Sequence, residues 1–350
     1  MTETAHAPCE IRGRLAPSPT GYLHLGNAWA FLLAWWAARQ AGGRIILRLE
    51  DIDPQRSRDE FTLAIMEDLR WLGMDWDEGP GLPFDGSGGP LPERGNCGPY
   101  VQSRCAAIYA QALQRLERLG CLYPCFCTRK ELRALAGAPH VDDMGAPYPG
   151  TCRRLSEAQR MALRQAGRRA SLRFHGPSEP VAFTDAVQGQ QCFTLEDCGG
   201  DFAVQRSDGV IAYQLAVAVD DGRMGINQVV RGRDILPSTP RQIALLRLLG
   251  YEIPTYAHVP LLCDAEGERL AKRHNSLALR SLRAEGVPPE RIVGLLAWLA
   301  GANPDRREAT AAGLTAAFRP ERLPRRDCRL DGALLDWLRY GAPSGAAAYE

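Results

Sequence analysis

The sequence predicts an α/β fold: a parallel sheet split by an inserted subdomain and followed by a short helical C-terminal region. Three observations lead there. A strand at 11–16 (IRGRLA), a Pro/Ser/Gly turn, a helical stretch and a second strand at 44–50 (RIILRLE) make one βαβ unit, the building block of a parallel sheet with right-handed crossovers. That rhythm is lost over 121–200, where cysteines gather. The last 75 residues then read as mostly helical, with basic, proline-containing breaks.

The elements follow in order. The first helix is expected from about Ala28 to Gln40, with Trp29, Leu32, Leu33 and Trp36 on one face and Gly42-Gly43 stopping it. The second strand ends at the acidic turn Glu50-Asp51-Ile52-Asp53-Pro54. Residues 79–99 hold seven glycines and five prolines, which predicts an irregular surface loop. A helix from about Arg104 to Leu119 precedes the insertion. Residues 201–220 read as a hairpin, with DFAVQR and VIAYQLAVAVDD flanking a Ser207-Asp208-Gly209 turn. Arg241 to Leu249 is helical, and the loop 263–275 follows it. The expected units are therefore 1–104 and 201–275 as two halves of the catalytic core, 105–200 as the insertion, and 276–350 as the helical region.

Composition narrows the setting. Hydrophobic residues make up 45% and charged residues 24% of the 350, ordinary for a globular protein. The 42 basic and 41 acidic side chains nearly cancel, so any nucleic-acid contact must come from a local basic face. The apolar stretch Ala28 to Ala38 is too short to span a bilayer, and no basic segment followed by an apolar one opens the chain. Eleven cysteines, an odd number, fit a reducing cytoplasm, where a tight cluster points to metal rather than to disulfides. Only two lysines occur, Lys130 and Lys272; a lysine kept in so arginine-rich a chain is expected to be needed for its compact ammonium group.

The sharpest signal is the run Pro17-Ser18-Pro19-Thr20-Gly21-Tyr22-Leu23-His24-Leu25-Gly26-Asn27 between strand and helix. Free N–H groups and the dipole at a helix N-terminus favour phosphate. His24 is placed to donate to a phosphate oxygen, and Gly26 leaves room for a nucleotide base. On its own so short a motif is more often a plain loop before a helix. With RLEDIDPQRS downstream, however, GRLAPSPTGYLHLGN resembles the signature region of the glutamyl class I aminoacyl-tRNA synthetases. The resemblance implies a Rossmann-type catalytic domain in which His24-Leu25-Gly26-Asn27 is the HIGH-type motif.

Arg269-Leu270-Ala271-Lys272-Arg273 stands where that family has its KMSKS-type loop. It departs from the pattern at Arg269, Ala271 and Arg273 and keeps Lys272. The resemblance implies His24, Gly26, Asn27 and Lys272 as catalytic residues, with His24, Gly26 and Lys272 on ATP. The bland alternative for the loop is a solvated basic turn. The family also implies that Arg14, Leu15, Ala16, Pro17, Ser18, Glu50, Tyr213 and Arg231 line the amino-acid site. The chemistry is coherent: Arg14 and Arg231 form charge-assisted forks with a side-chain carboxylate, Glu50 neutralises an α-ammonium, and Tyr213 adds a hydroxyl. Two arginines on one carboxylate favour glutamate over glutamine. The structural alternative pairs Glu50 simply with Arg48 or Arg56.

Cys125-Phe126-Cys127 opens a candidate zinc site, with Tyr148 and Cys152 after a loop long enough to close it. Cys121 and His140 remain substitutes on chemistry alone. The C-x-C and Y-x-x-x-C spacing resembles the four zinc ligands of the glutamyl-queuosine subgroup, the glutamyl-Q tRNA(Asp) synthetases, and a site of four protein ligands is structural. Only 77 residues follow Arg273, too few for the anticodon-binding region that follows the lysine loop in complete glutamyl-tRNA synthetases. That subgroup activates L-glutamate with ATP and Mg2+ without tRNA. It then transfers glutamate to queuosine in the anticodon of tRNA(Asp). Arg319, Arg322, Arg325 and Arg326 are expected either to touch phosphates or to be a solvated loop. A cytoplasmic monomer without membrane contact is expected. Three rivals stay open: a truncated synthetase charging a tRNA 3′ end, an inactive paralogue that binds RNA or protein, and an unrelated nucleotidyltransferase. The altered 269–273 loop is the only support for the second, and the paired arginines argue against the third.

Overall fold

A computed structural model describes residues 10–81, 92–128, 130–132, 148–270 and 277–341. Strand β1 (Arg12–Leu15) leads through the turn into helix α1 (Leu25–Gln40), and β2 (Arg44–Leu47) returns parallel to β1. Helix α1 begins three residues earlier than expected because His24 and Asn27 close a reciprocal capping box at its start. It is buried on nearly every side, Trp35 included. The indoles of Trp29 and Trp36 donate to the carbonyls of Pro260 and Ala311, both at 2.7 Å, so the large rings enter the core with their polar atoms satisfied. Gly13 allows this packing: a β-carbon there would stand 2.9 Å from that of Ala38.

Helix α2 (Asp59–Trp71) comes next and sends Ile65, Met66 and Leu69 into the same core; the short antiparallel pair β3 (Gly79–Pro80) and β4 (Glu93–Arg94) follows. Of the expected loop 79–99, residues 82–91 lie outside the described residues. Helix α3 (Ala106–Arg118) leads into β5 (Leu122–Cys125); helix α4 (Glu157–Gln165), β6 (Ser171–Phe174), β7 (Val181–Asp185), β8 (Gly189–Phe193) and β9 (Phe202–Gln205) follow. Strands β5, β6 and β9 form their own antiparallel sheet. The stretch 105–200 thus serves two places, because the β7–β8 hairpin joins β10 (Gln228–Gly232) and β11 (Thr255–Val259) in the order β10-β11-β7-β8.

The hairpin expected over 201–220 is corrected. Its first arm is β9, but its second arm is helix α5 (Tyr213–Arg223). Leu215 to Val219 are buried all round, and a short, uniformly apolar run carries no period that separates strand from helix. Helix α6 (Thr239–Leu249) packs on α5. Strand β10 runs beside β1: the Asn227 amide donates to the Arg12 carbonyl at 3.2 Å, and the Asn227 side chain receives the Arg12 amide at 2.8 Å.

The C-terminal part is helical as expected, with α7 (Leu279–Ala284), α8 (Pro289–Leu299), α9 (Ala311–Leu314) and α10 (Gly332–Tyr340). It is tied to the core where Leu262 and Cys263 pair with Cys328 and Arg329, and where Trp36 packs on Phe318. Among the described residues no helix is long and apolar enough to cross a membrane.

Candidate active site

A cleft of about 540 Å³ opens at the C-terminal ends of β1, β2 and β10, where ligands bind in open parallel sheets. Its walls bring together most of the residues singled out from the sequence: Arg14, Ala16, Pro17, Ser18, His24, Gly26, Asn27, Glu50, Tyr213 and Arg231. Leu15 is fully buried behind them, its carbonyl accepting the Arg48 amide at 2.9 Å. Lys272, with Ala271 and Arg273, lies outside the described residues. Its neighbours Arg269 and Leu270 do reach the cleft.

At one end stands the start of α1. The Nδ1 of His24 accepts the Gly26 amide at 3.1 Å, and the Asn27 side chain accepts the His24 amide at 3.1 Å. With Nδ1 accepting, the neutral ring carries its proton on Nε2. This end therefore offers an imidazole N–H beside a helix N-terminus, an anion-holding pair. Gly26 has a role beyond making room for a base, because a β-carbon there would stand 2.9 Å from His24 Cε1.

At the other end three guanidinium groups face two carboxylates. Arg48 is wholly buried, donating to Asp221 at 2.6 Å and to Glu50 Oε1 at 3.0 and 3.3 Å. Burial works against its charge, but Asp221 and Glu50 overcome that and hold it well above the ordinary arginine range. Arg14 donates to the Val230 carbonyl at 3.1 Å and lies 3.8 Å from Asp221. Burial pulls Arg14 down, with Arg48 and Arg231 adding to the effect. Arg231 donates to His258 at 3.1 Å and to Gln242 and Thr239, each at 2.8 Å. Three of its five N–H groups are thereby used, leaving one on each terminal nitrogen. Arg14, Arg48 and Arg231 against Glu50 and Asp221 leave one positive charge in excess, the complement of an added carboxylate. Tyr213 and Gln214, at the start of α5, complete the wall.

Of the two structural partners open for Glu50, the fold selects Arg48. Both of those hydrogen bonds run to Oε1, so Oε2 makes none among the described residues. Sequence reading missed Asp221, Thr239, Gln242 and His258. The one available signal was Asp220-Asp221 ending a run of apolar residues, since acids are buried only when paired.

Arg269 donates to Asp234 at 2.6 Å, with both residues on the cleft wall.

Away from the cleft, the thiols of Cys125, Cys127 and Cys152 lie within 4.8 Å of one another. Cys127 and Cys152 are 3.6 Å apart, and the Tyr148 hydroxyl lies 3.4 Å from Cys125 and 3.9 Å from Cys127. Sulfurs sharing a tetrahedral zinc at about 2.3 Å stand about 3.8 Å apart, so these four residues fit that ion. The Phe126 amide also points at Cys152 Sγ, at 3.4 Å. Cys121 instead donates to the Leu119 carbonyl, and His140 lies outside the described residues.

Residues 10–337 match the class I tRNA synthetase (E and Q) catalytic domain. The chain is 56% identical over 331 residues to the glutamyl-Q tRNA(Asp) synthetase of Nitratidesulfovibrio vulgaris, covering 95% of this chain and 99% of that one. The chain belongs to the glutamyl-Q tRNA(Asp) synthetase family. It is a class I aminoacyl-tRNA synthetase-like ligase. The Symbiobacterium thermophilum member of that family is 50% identical over 330 residues, 94% of this chain and 98% of that one. The glutamate-tRNA synthetase structure from Elizabethkingia anophelis superimposes with a TM-score of 0.76 at 27% identity, over 94% of this chain and 70% of that one. This family member has the cleft where that fold requires it, at the carboxyl ends of its parallel strands.

Proposed function

We propose that the chain activates L-glutamate with Mg·ATP in the absence of tRNA and then transfers the glutamyl group to queuosine in the anticodon of tRNA(Asp). The observation that carries glutamate is the charge excess of Arg14, Arg48 and Arg231 over Glu50 and Asp221 at one end of the cleft. Arg14 and Arg231 take the side-chain carboxylate, and Glu50 takes the α-ammonium. The substrate α-carboxylate then points toward the His24 end, where ATP phosphates lie on the start of α1.

In the first step a carboxylate oxygen bonds to the α-phosphorus and the bond to pyrophosphate breaks. Charge grows on the phosphoryl oxygens, and the His24 Nε2 proton, the α1 N-terminus and Lys272 stabilise it. In the second step a queuosine ring hydroxyl oxygen bonds to the acyl carbon, the bond from that carbon to the AMP oxygen breaks, and the hydroxyl proton leaves with AMP. No covalent enzyme intermediate is needed, so the residues act by position and field. The names of the relatives at 56% and 50% identity support the queuosine acceptor. We further infer a structural Zn2+ on Cys125, Cys127, Tyr148 and Cys152, a closed set of four ligands.

Pyrophosphate exchange with glutamate and no tRNA tests the first step, and labelled glutamate given to queuosine-containing tRNA(Asp) and to tRNA(Glu) tests the second. Exchange without tRNA and labelling of tRNA(Asp) alone are expected. Exchange that needs tRNA, or labelling of tRNA(Glu), overturns the reading.

A further inference from the structure

Arg231, His258 and Asp185 stand on three successive strands of one sheet, β10, β11 and β7, and all three are buried. Arg231 Nε donates to His258 Nε2 at 3.1 Å, and the other ring nitrogen, Nδ1, lies 2.5 Å from Asp185 Oδ2. Asp185 Oδ1 accepts the backbone amides of Val187 at 3.0 Å and Gln188 at 2.8 Å, and the His258 amide is shared between Oδ1 and Oδ2 at 3.1 Å each. A carboxylate only accepts, so His258 must carry its proton on Nδ1 and present a lone pair at Nε2. That lone pair is what Arg231 requires. Thr239 fits the same arrangement: its hydroxyl lies 3.0 Å from His258 Nε2 and accepts from Arg231.

We infer that Asp185 and His258 are positioning residues which fix the plane of Arg231 through the imidazole tautomer, and so set the preference for a carboxylate over an amide side chain. The inference rests on the reading of Arg231 as a ligand of the glutamate side chain. Burial, with Arg231 adding to it, pushes the imidazolium down to about 4 against the pull of Asp185, so the ring is neutral at physiological pH. A neutral ring has one proton to place, and Asp185 decides where it goes.

Asp185→Asn is the sharpest probe. The Val187 and Gln188 amides, which bond Oδ1 alone, hold the amide oxygen at that position, which turns the NH2 toward His258 Nδ1. The ring then accepts at Nδ1 and carries its proton on Nε2, facing the Arg231 Nε–H donor to donor. Moving a proton this way disables a site without changing its shape.

The expected result for Asp185→Asn in pyrophosphate exchange is a KM for glutamate raised about tenfold or more, with the KM for ATP unchanged and the glutamate-to-glutamine preference reduced. In 15N spectra the His258 proton moves from Nδ1 to Nε2. His258→Gln, which restores an oxygen toward Arg231, keeps most of the glutamate affinity, and His258→Leu loses it. That pair decides the matter should Asp185→Asn fail to fold. A folded Asp185→Asn whose two KM values are unchanged or move together overturns the inference, as does a wild-type His258 protonated at Nε2. Wild-type protein without glutamate-dependent exchange sinks the proposed reaction and the specificity consequence with it. In that case the wild-type tautomer still decides the relay.

Discussion

The imidazole of His24 folds back over Gly26, so that a β-carbon on Gly26 would stand 2.9 Å from Cε1 and 3.0 Å from Nδ1. Gly26 is the second residue of α1; alanine there gains at most about 1 kcal/mol as a helix former, set against about 1 kcal/mol for the His24 cap on the Gly26 amide. Stability is therefore expected to change little while activity falls. Gly26→Ala is expected to leave the melting temperature nearly unchanged, while pushing the His24 ring off its place over the helix end. A displacement of this kind near the reacting atoms costs roughly a hundredfold in rate. Melting and pyrophosphate exchange on the same preparation check it; exchange near the wild-type rate would show that the ring position is not needed.

Arg269 occupies a place where the family pattern has lysine, and its partner is Asp234 at 2.6 Å. Arg269 is half exposed, so the pair adds at most about 1 kcal/mol to stability. On the proposed placement of ATP its consequence lies in the cleft, where Asp234 would compete with the phosphates for the same guanidinium. Asp234→Asn is expected to lower the KM for ATP by a few fold without changing the melt, and Arg269→Ala to raise it. A KM for ATP that is unchanged or raised in Asp234→Asn, or that moves in the same direction in both variants, would remove the competition.

Much of this site was legible in the sequence because its chemistry is local. His24, Gly26 and Asn27 are consecutive or nearly so, and the capping box that orders them needs only α1 itself. Cys125, Cys127, Tyr148 and Cys152 were legible for a similar reason, since all four fall within one short stretch of the chain. The support behind Arg231 was not. Asp185 and His258 are 73 positions apart and meet only because β7 lies beside β11. Nothing in the spacing of the chain encodes that neighbour relation. Helix α5 was misread for a related reason: its middle, Leu215 to Val219, is apolar and buried all round, so it shows no polar face from which a period could be taken.

The cysteine cluster gives a prediction with separable arms. None of Cys125, Cys127, Tyr148 and Cys152 lines the cleft, so a zinc there holds the fold of the β5–β6–β9 region rather than taking part in adenylation. Cys152→Ser is expected to lower zinc content by elemental analysis and to lower the melting temperature. Glutamate-dependent exchange, measured below the new melting point, should change little. Wild-type protein without zinc after purification free of chelators would refute the site, and loss of exchange in folded Cys152→Ser would refute its structural role.

Asp68 on α2 is almost fully buried, and its Oδ2 has no hydrogen-bond partner. Burial pushes the carboxyl up to about 6; Arg283 and Arg280 oppose this, and Glu67 adds to it. The folded state therefore holds the proton more tightly than the unfolded chain, where an aspartate ionises near 3.9. The stabilisation from that proton is complete below about 4 and is lost as the pH rises through about 6. Above this window the fold carries a buried charge. Asp68→Asn removes the charge and keeps the shape, so its melting temperature should exceed wild type at pH 8, with the gain shrinking through pH 6 and gone by pH 4. Thermal melts of both proteins at those three values decide it. A difference independent of pH, or a loss at pH 8, would mean that Arg283 and Arg280 stabilise the ionised carboxylate more than burial disfavours it.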